Sequence, residues 1–276
     1  MKLFKPALLI LPFTFLLISC AQPEPADKVA QSITGEEVVY TAGEITMNGY
    51  IAYDESSENV RPGILVVHEW WGHNEHARNS AEKLAEMGYV ALAVDMYGDG
   101  QVAQHPEEAM EFSGSVMGNF DTAQARFNAA LETLKDHPLV DAGQTGAIGY
   151  CFGGSLILAM ANTGADLDAV AAFHAGLQLP VMPQDEIQSR ILILNGAEDP
   201  LISAEDVENL TGALERVNAD FRYVNYEGAT HAYTNPAADS LGVAFGLPLA
   251  YNADVDSLSW QEMNEFFDQT FNGETP

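Results

Sequence analysis

A mostly parallel central sheet with helices on both faces, the α/β class, is predicted by three features of this 276-residue chain. Short continuous apolar runs such as Ile64-Leu65-Val66-Val67 have the composition of strands buried on both faces. Segments of helical periodicity separate those runs, and such alternation favours parallel strands joined by crossover helices. One apolar run, Thr145 to Tyr150, drives straight into a cysteine crowded by glycines, with a helical pattern following from Ser155 to Ala161.

Taken in order, Val38 to Thr41 and Ile45 to Tyr53 read as an antiparallel edge hairpin turning at Ala42-Gly43. Asp54 to Pro62 reads as a loop, and Ile64 to His68 as a buried strand that ends in Glu69-Trp70-Trp71-Gly72. Apolar positions Ala77, Ala81, Leu84 and Ala85 predict a helix over Asn74 to Met87, stopped by Gly88. Tyr89 to Val94 is the next strand. Met96 to Asn119, rich in methionine and glycine, reads as an irregular insertion, and Asp121 to Lys135 as a helix. Beyond the cysteine, strands are expected at Ala169 to His174, Ile191 to Leu194 and Phe221 to Tyr226. Ser203 with Asp206 forms a capping-box pattern opening a helix through Leu214. A Pro/Gly-rich segment then precedes a closing amphipathic helix, Ser257 to Phe271.

Composition narrows the partners. The chain carries 40 acidic against 11 basic residues, a formal charge of −29. A field of that sign repels nucleic acid and anionic surfaces, so no nucleic-acid partner is expected. Met1-Lys2-Leu3-Phe4-Lys5 is a basic start, Pro6 to Ile18 is apolar, and Leu17-Ile18-Ser19-Cys20 resembles the lipobox of bacterial lipoproteins. Residues 1–19 are therefore expected to be a signal peptide, 20–35 a lipidated Cys20 with a flexible tether, and 36–276 a single domain. The absence of Asp after Cys20 resembles the pattern for the periplasmic face of the outer membrane. Only Cys20 and Cys151 are present. With the first lipidated, Cys151 has no disulfide partner in an oxidising compartment, which favours a working thiol.

Gly149-Tyr150-Cys151-Phe152-Gly153 is a G-x-C-x-G pattern, the nucleophile elbow with sulfur in place of the hydroxyl. A sharp strand-to-helix turn needs small neighbours two residues away, and the following helix start favours a thiolate. Glu69, Cys151, Asp199 and His231 all fall just after expected strands, where ligand crevices of such sheets lie. The order Cys151, Asp199, His231 is that of the α/β-hydrolase fold. A histidine paired with the thiol relays its proton, and a carboxylate behind it fixes the tautomer. Glu198 competes with Asp199 for that place on spacing alone. The stretch His68-Glu69-Trp70-Trp71-Gly72-His73 lacks the i, i+4 histidine pair of a zinc motif, so neither metal nor cofactor is expected.

With these residues, the chain resembles the dienelactone hydrolase family, cysteine-dependent members of the α/β-hydrolase superfamily, from about Glu36 to Phe271. Gly149-Tyr150-Cys151-Phe152-Gly153-Gly154, Asp199 before Pro200, Gly228-Ala229-Thr230-His231-Ala232-Tyr233 and His68-Glu69-Trp70-Trp71-Gly72 carry the likeness. The resemblance implies a Cys151–His231–Asp199 triad with Glu69 near the thiol, holding it neutral at rest and taking its proton when substrate arrives. It also implies the Trp70 and Phe152 amides as oxyanion donors. The family's founding members grip a substrate carboxylate with arginines. Here the corresponding stretches read Met96-Tyr97-Gly98-Asp99 and Ala232-Tyr233-Thr234-Asn235, with none. Trp71, Tyr97 and Tyr233, with Trp70 and Phe152, are therefore expected to wall an apolar pocket for a small uncharged ester, lactone or thioester. The competing readings are a non-catalytic binding lipoprotein on the same fold and, ranked last, a thiol redox sensor without a resolving cysteine.

Overall fold

In the computed structural model, which describes residues 1–2 and 30–273, the chain opens on the expected hairpin. Strand β1 (Ile33–Ala42) runs antiparallel to β2 (Ile45–Asp54) around Gly43. The last residues of the expected 20–35 tether already belong to the sheet: Ile33 pairs with Asp54, and Ser32 N donates to the Asp54 carboxylate at 2.9 Å. Cys20 and all but the first two residues of the expected signal peptide lie outside the described residues.

The apolar runs become β3 (Arg61–Val67), β4 (Val90–Val94), β5 (Val140–Tyr150), β6 (Ala169–Phe173) and β7 (Arg190–Gly196), followed by β8 (Phe221–Tyr226). Among the described residues these form one eight-stranded sheet, ordered β1-β2-β4-β3-β5-β6-β7-β8. The contacts of β2 are antiparallel and all others, from β4 to β8, parallel.

Alternation along each buried strand feeds two cores, since successive side chains leave opposite faces of a pleated strand. Ile64, Val66, Ile148, Ala171 and Leu192 face α1 (Glu75–Glu86) and α7 (Ala253–Phe271), meeting Leu84, Met263 and Phe267. Leu65, Val67, Ala147, Val170 and Ile191 face the other side, where Phe127, Leu156 and Leu210 come from α3 (Phe120–Lys135), α4 (Phe152–Asn162) and α5 (Ala204–Arg216). The capping box at Ser203 and Asp206 forms as expected.

Two helices depart from the sequence reading. The Met96–Asn119 insertion is not irregular throughout: α2 (Pro106–Met117) occupies half of it. Its Gly114, Ser113 and Ser115 dilute the helical signal, and Met110 on its outer side is two-thirds exposed. The Pro/Gly-rich segment holds α6 (Ala238–Phe245), closed by Gly246 in the left-handed conformation. Both helices pack on a small third core around Trp70 and Trp71, directly after β3.

The chain leaves β3 for β4 on one side and returns to β5 on the other. That reversal opens a crevice beyond the carboxyl ends of β3 and β5. Glu69 follows the first and Cys151 the second.

Candidate active site

Cys151 occupies the turn between β5 and α4 with φ +52° and ψ −112°, strained backbone for an L-residue. Its amide donates to Phe173 O at 3.0 Å and its carbonyl accepts from Ser155 N at 3.1 Å, so the strain is held by the sheet and the first helical turn. The glycines are needed for close approach. A Cβ at Gly149 would come within 2.3 Å of Gly153 O, and one at Gly153 within 2.3 Å of Val67 O. The elbow is thus wedged against both its own helix and the end of β3. The Cys151 side chain is half-buried.

His231 and Asp199 meet from loops after β8 and β7. Asp199 Oδ2 lies 2.7 Å from His231 Nδ1, both residues being buried, while Glu198 points into solvent. The structure therefore separates the two rival acids. The His231 loop is pinned by Ala250 N donating to His231 O and by Ala232 at φ +59°. Burial opposes a charge on this imidazole. Beside an ionised Cys151 sulfur, and with the Asp199 carboxylate behind the ring, that opposition is overridden and the His231 pKa is pushed up to about 10. Nε2 is buried without an aligned partner and has the thiol as its neighbour.

Glu69 is buried at the end of β3, in the same cavity wall as Cys151 and His231. Its Oε2 accepts from Asn235 Nδ2 at 2.5 Å. The amide orientation is dictated by Ala237, whose N–H donates to Asn235 Oδ1 at 2.9 Å. His76 Nδ1 lies 3.9 Å from the same carboxylate oxygen. His68 fixes the turn itself. Its Nε2 accepts from Met96 N at 3.2 Å, leaving Nδ1–H to donate to Glu69 O at 2.5 Å. Burial drives the His68 pKa down to about 4, so this ring works as a neutral bracket.

The amides of Trp70 and Phe152 belong to the two turns that meet here. Phe152 opens α4, so its N–H has no acceptor within the helix. Trp70 is braced by Tyr97, whose hydroxyl donates to Trp70 O at 2.8 Å.

Around these groups lies a cavity of about 220 Å³, lined by Glu69, Trp70, Trp71, Cys151, Leu201, His231 and a Leu247–Leu249 strap. Trp71 stands in this wall as expected. Tyr97 and Tyr233 do not. Tyr97 supports Trp70 from behind, and Tyr233 is fully buried with its hydroxyl on Leu194 O at 3.0 Å. Their aromatic size, read as pocket wall, serves core packing. Sequence reasoning missed Leu201 and Leu247–Leu249, which lie outside the helices and strands of the sheet and carry no motif, Leu249 forming only an isolated bridge with His231. It also missed Asn235 and His76, whose roles depend on loop geometry. No lysine or arginine lines this cavity; Arg126, the cation bound under the β4 exit, donates instead to Met96 O and Tyr97 O.

The dienelactone hydrolase family model matches residues 47–271 of the chain. Among solved structures, m3DLH is 39% identical with a TM-score of 0.82, covering 87% of this chain and 99% of its own. The crystal structure of a dienelactone hydrolase-like promiscuous phosphotriesterase from metagenomic libraries is 34% identical with a TM-score of 0.80, covering 86% and 98%. The "Putative carboxymethylenebutenolidase" of Aquifex aeolicus is 28% identical over 206 residues, 73% of this chain and 87% of its own.

Proposed function

Since the chain belongs to the dienelactone hydrolase family, we propose that it hydrolyses small neutral esters or lactones through an acyl-thioester on Cys151. The observation that carries this reading is the His231–Asp199 pair, with its free Nε2 beside the Cys151 thiol in a cavity that no lysine or arginine lines. Such a cavity favours an uncharged substrate over a carboxylate-bearing lactone, because burying an unpaired anion is costly.

The proposed cycle starts from a neutral thiol, a Glu69 carboxylate and a His231 imidazolium. Glu69 takes the thiol proton, and the Cys151 sulfur attacks the acyl carbon. The oxyanion is held by the Trp70 and Phe152 amides. The C–O bond breaks as His231 Nε2 protonates the departing oxygen. A water then gives its proton to His231 and adds to the thioester. The C–S bond breaks, releasing the acid, and Glu69 returns its proton to the thiolate. Asp199 keeps the Nδ1–H tautomer and offsets the imidazolium charge throughout.

The amino-terminal pattern supports a lipid-anchored enzyme, attached through Cys20 at the periplasmic face of the outer membrane. A neutral phosphotriester would also suit a cavity without lysine or arginine, and the 34%-identical phosphotriesterase makes that class a second arm of any screen. In the decisive assay, protein lacking residues 1–20 meets neutral lactones, short p-nitrophenyl esters and their carboxylate-bearing analogues. Neutral substrates should turn over at least about tenfold faster in kcat/KM, since each 1.4 kcal/mol of unpaired-charge cost is a factor of ten. Cys151→Ala should lose at least about 10³-fold. Undiminished activity in Cys151→Ala would replace this reading with a binding role.

A further inference from the structure

Apart from Glu69, Cys151 and His231, the residues lining the cavity above the elbow are two tryptophans, three leucines, an alanine and a proline. Its two ends differ. Leu201 is 57% exposed and Pro248 is exposed as well, so the cavity opens there. Trp71 is only 5% exposed, and Leu247 packs against it in the small third core. That end is blind. Phe245 of α6 backs Trp71 with ring centroids 5.8 Å apart, and Trp70 meets it edge-on at 5.1 Å. Leu247 is fixed by its N–H, which donates to Gly242 O at 3.1 Å. A Cβ on Gly242 would lie 2.7 Å from Leu249 O, so helix and strap are in close contact.

The sheet order says which end takes which half of an ester. Cys151 follows β5, which stands between β3 on one side and β6, β7 and β8 on the other. His231 and Asp199 come from the β7–β8 side, and so does Leu201, whose N–H donates to the Asp199 carboxylate at 2.9 Å. Leu249 is bridged to His231 itself. In the proposed cycle His231 protonates the departing oxygen, so the alcohol leaves on the open side of the sulfur. Trp70 and Trp71 continue from β3 on the opposite side, where the acyl group stays attached to Cys151.

We propose that Trp71 and Leu247 form the floor of an acyl pocket that admits straight, uncharged chains of up to about six carbons, while the alcohol half, leaving past Leu201 and Pro248, is not selected for size. The proposal rests on the reading of Cys151 as nucleophile. The limit follows from volume. A cavity of about 150 Å³ holds benzene, so one of about 220 Å³ holds roughly nine heavy atoms. The reacting carbon, its two oxygens and the first carbon of the alcohol leave room for about five more carbons, which makes a hexanoyl group. Each methylene taken out of water on the way to the transition state is worth about fourfold in rate until the floor is reached.

The p-nitrophenyl esters of acetic, butanoic, hexanoic, octanoic and decanoic acids test the blind end. Their kcat/KM should rise roughly tenfold per two carbons up to hexanoate. It should then fall at least about fivefold at octanoate, the smallest cost of overpacking a filled site. Leu247→Ala removes three carbons from the floor and should move the optimum to octanoate, whereas Leu247→Phe should move it back to butanoate. 4-Methylumbelliferyl butanoate, with a larger alcohol, should stay within about threefold of p-nitrophenyl butanoate. Straight-chain amides test the same pocket without turnover. Hexanamide should slow alkylation of Cys151 by iodoacetamide more than acetamide or decanamide does, and Leu247→Ala should extend that protection to octanamide. Rates flat in acyl length, an optimum that neither substitution moves, or protection still rising at decanamide would overturn the proposal. A methylumbelliferyl ester slowed tenfold or more would overturn its claim for the alcohol. Failure of the hydrolase reading is distinguishable: it would appear as activity surviving Cys151→Ala, or as no ester turnover at all, and the amide protection depends on neither.

Discussion

At the level of single residues, the proposed chemistry depends on how charge is held on His231. Its proton survives burial because the Cys151 sulfur, once ionised, stands in front of it and a carboxylate stands 2.7 Å behind it. A raised pKa means that the imidazolium persists to higher pH. The acid that the proposed cycle uses to expel the leaving group would therefore be present across the neutral range and lost as pH rises through about 10. Asp199→Asn removes one of the causes that raise it. The falling alkaline limb of kcat/KM should move to lower pH, together with a loss of roughly 10²–10⁴-fold in rate. A pH–rate profile unchanged in position would separate Asp199 from the imidazole's proton. The residues of this unit were legible because each follows an apolar strand, and strand ends converge. Asn235 and His76 were not, since neither spacing nor hydropathy records that a loop amide turns back 166 positions to meet Glu69. Tyr97 and Tyr233 misled for the opposite reason: an aromatic side chain looks the same in sequence whether it walls a pocket or fills a core.

The elbow shows how an element imposes its needs on particular residues. Gly153 lies so close to β3 that an added methyl would meet Val67 O at 2.3 Å and His68 O at 2.6 Å, both backbone atoms unable to swing aside. Gly153→Ala should cost about 3 kcal/mol. That corresponds to a fall of roughly 6–12 °C in Tm for a domain of this size. Gly114 in α2 is the control: a Cβ there meets nothing within 4 Å, so Gly114→Ala should stabilise by about 0.5–1 kcal/mol. Thermal melts of both variants check the pair, and a neutral Gly153→Ala would deny the wedge between elbow and sheet. The same physics explains which elements could be read beforehand. Strands buried on both faces announce themselves as unbroken apolar runs. Helix α6, short and carrying Gly242 beside apolar Val243 and Phe245, has neither a cap signal nor a clean polar face. It is visible only once Trp71 is there to receive Phe245, at 5.8 Å between ring centroids.

Across the whole molecule, the sheet order and the acidic surface act independently. The alternation of strands and helices indicated a parallel sheet, but the reversal at β3 that opens the crevice is a fact of topology that no local pattern contains. The charge of −29 has no part in the fold and opposes compactness by self-repulsion. Raising NaCl from 0.05 to 0.5 M screens that repulsion and should raise Tm by roughly 2–4 °C, the equivalent of about 1 kcal/mol. A Tm that falls with salt would mean that attractive ion pairs dominate. Sheet, loops and strap nonetheless serve one small volume, where a sulfur, an imidazole and two carboxylates meet. The most direct trial of that convergence is intact-mass and peptide-mass analysis of protein quenched during the first turnover of p-nitrophenyl acetate. One acetyl group per chain, on the peptide containing Cys151 and labile to hydroxylamine, is the predicted result. A full burst of p-nitrophenol with Cys151 unmodified would contradict it.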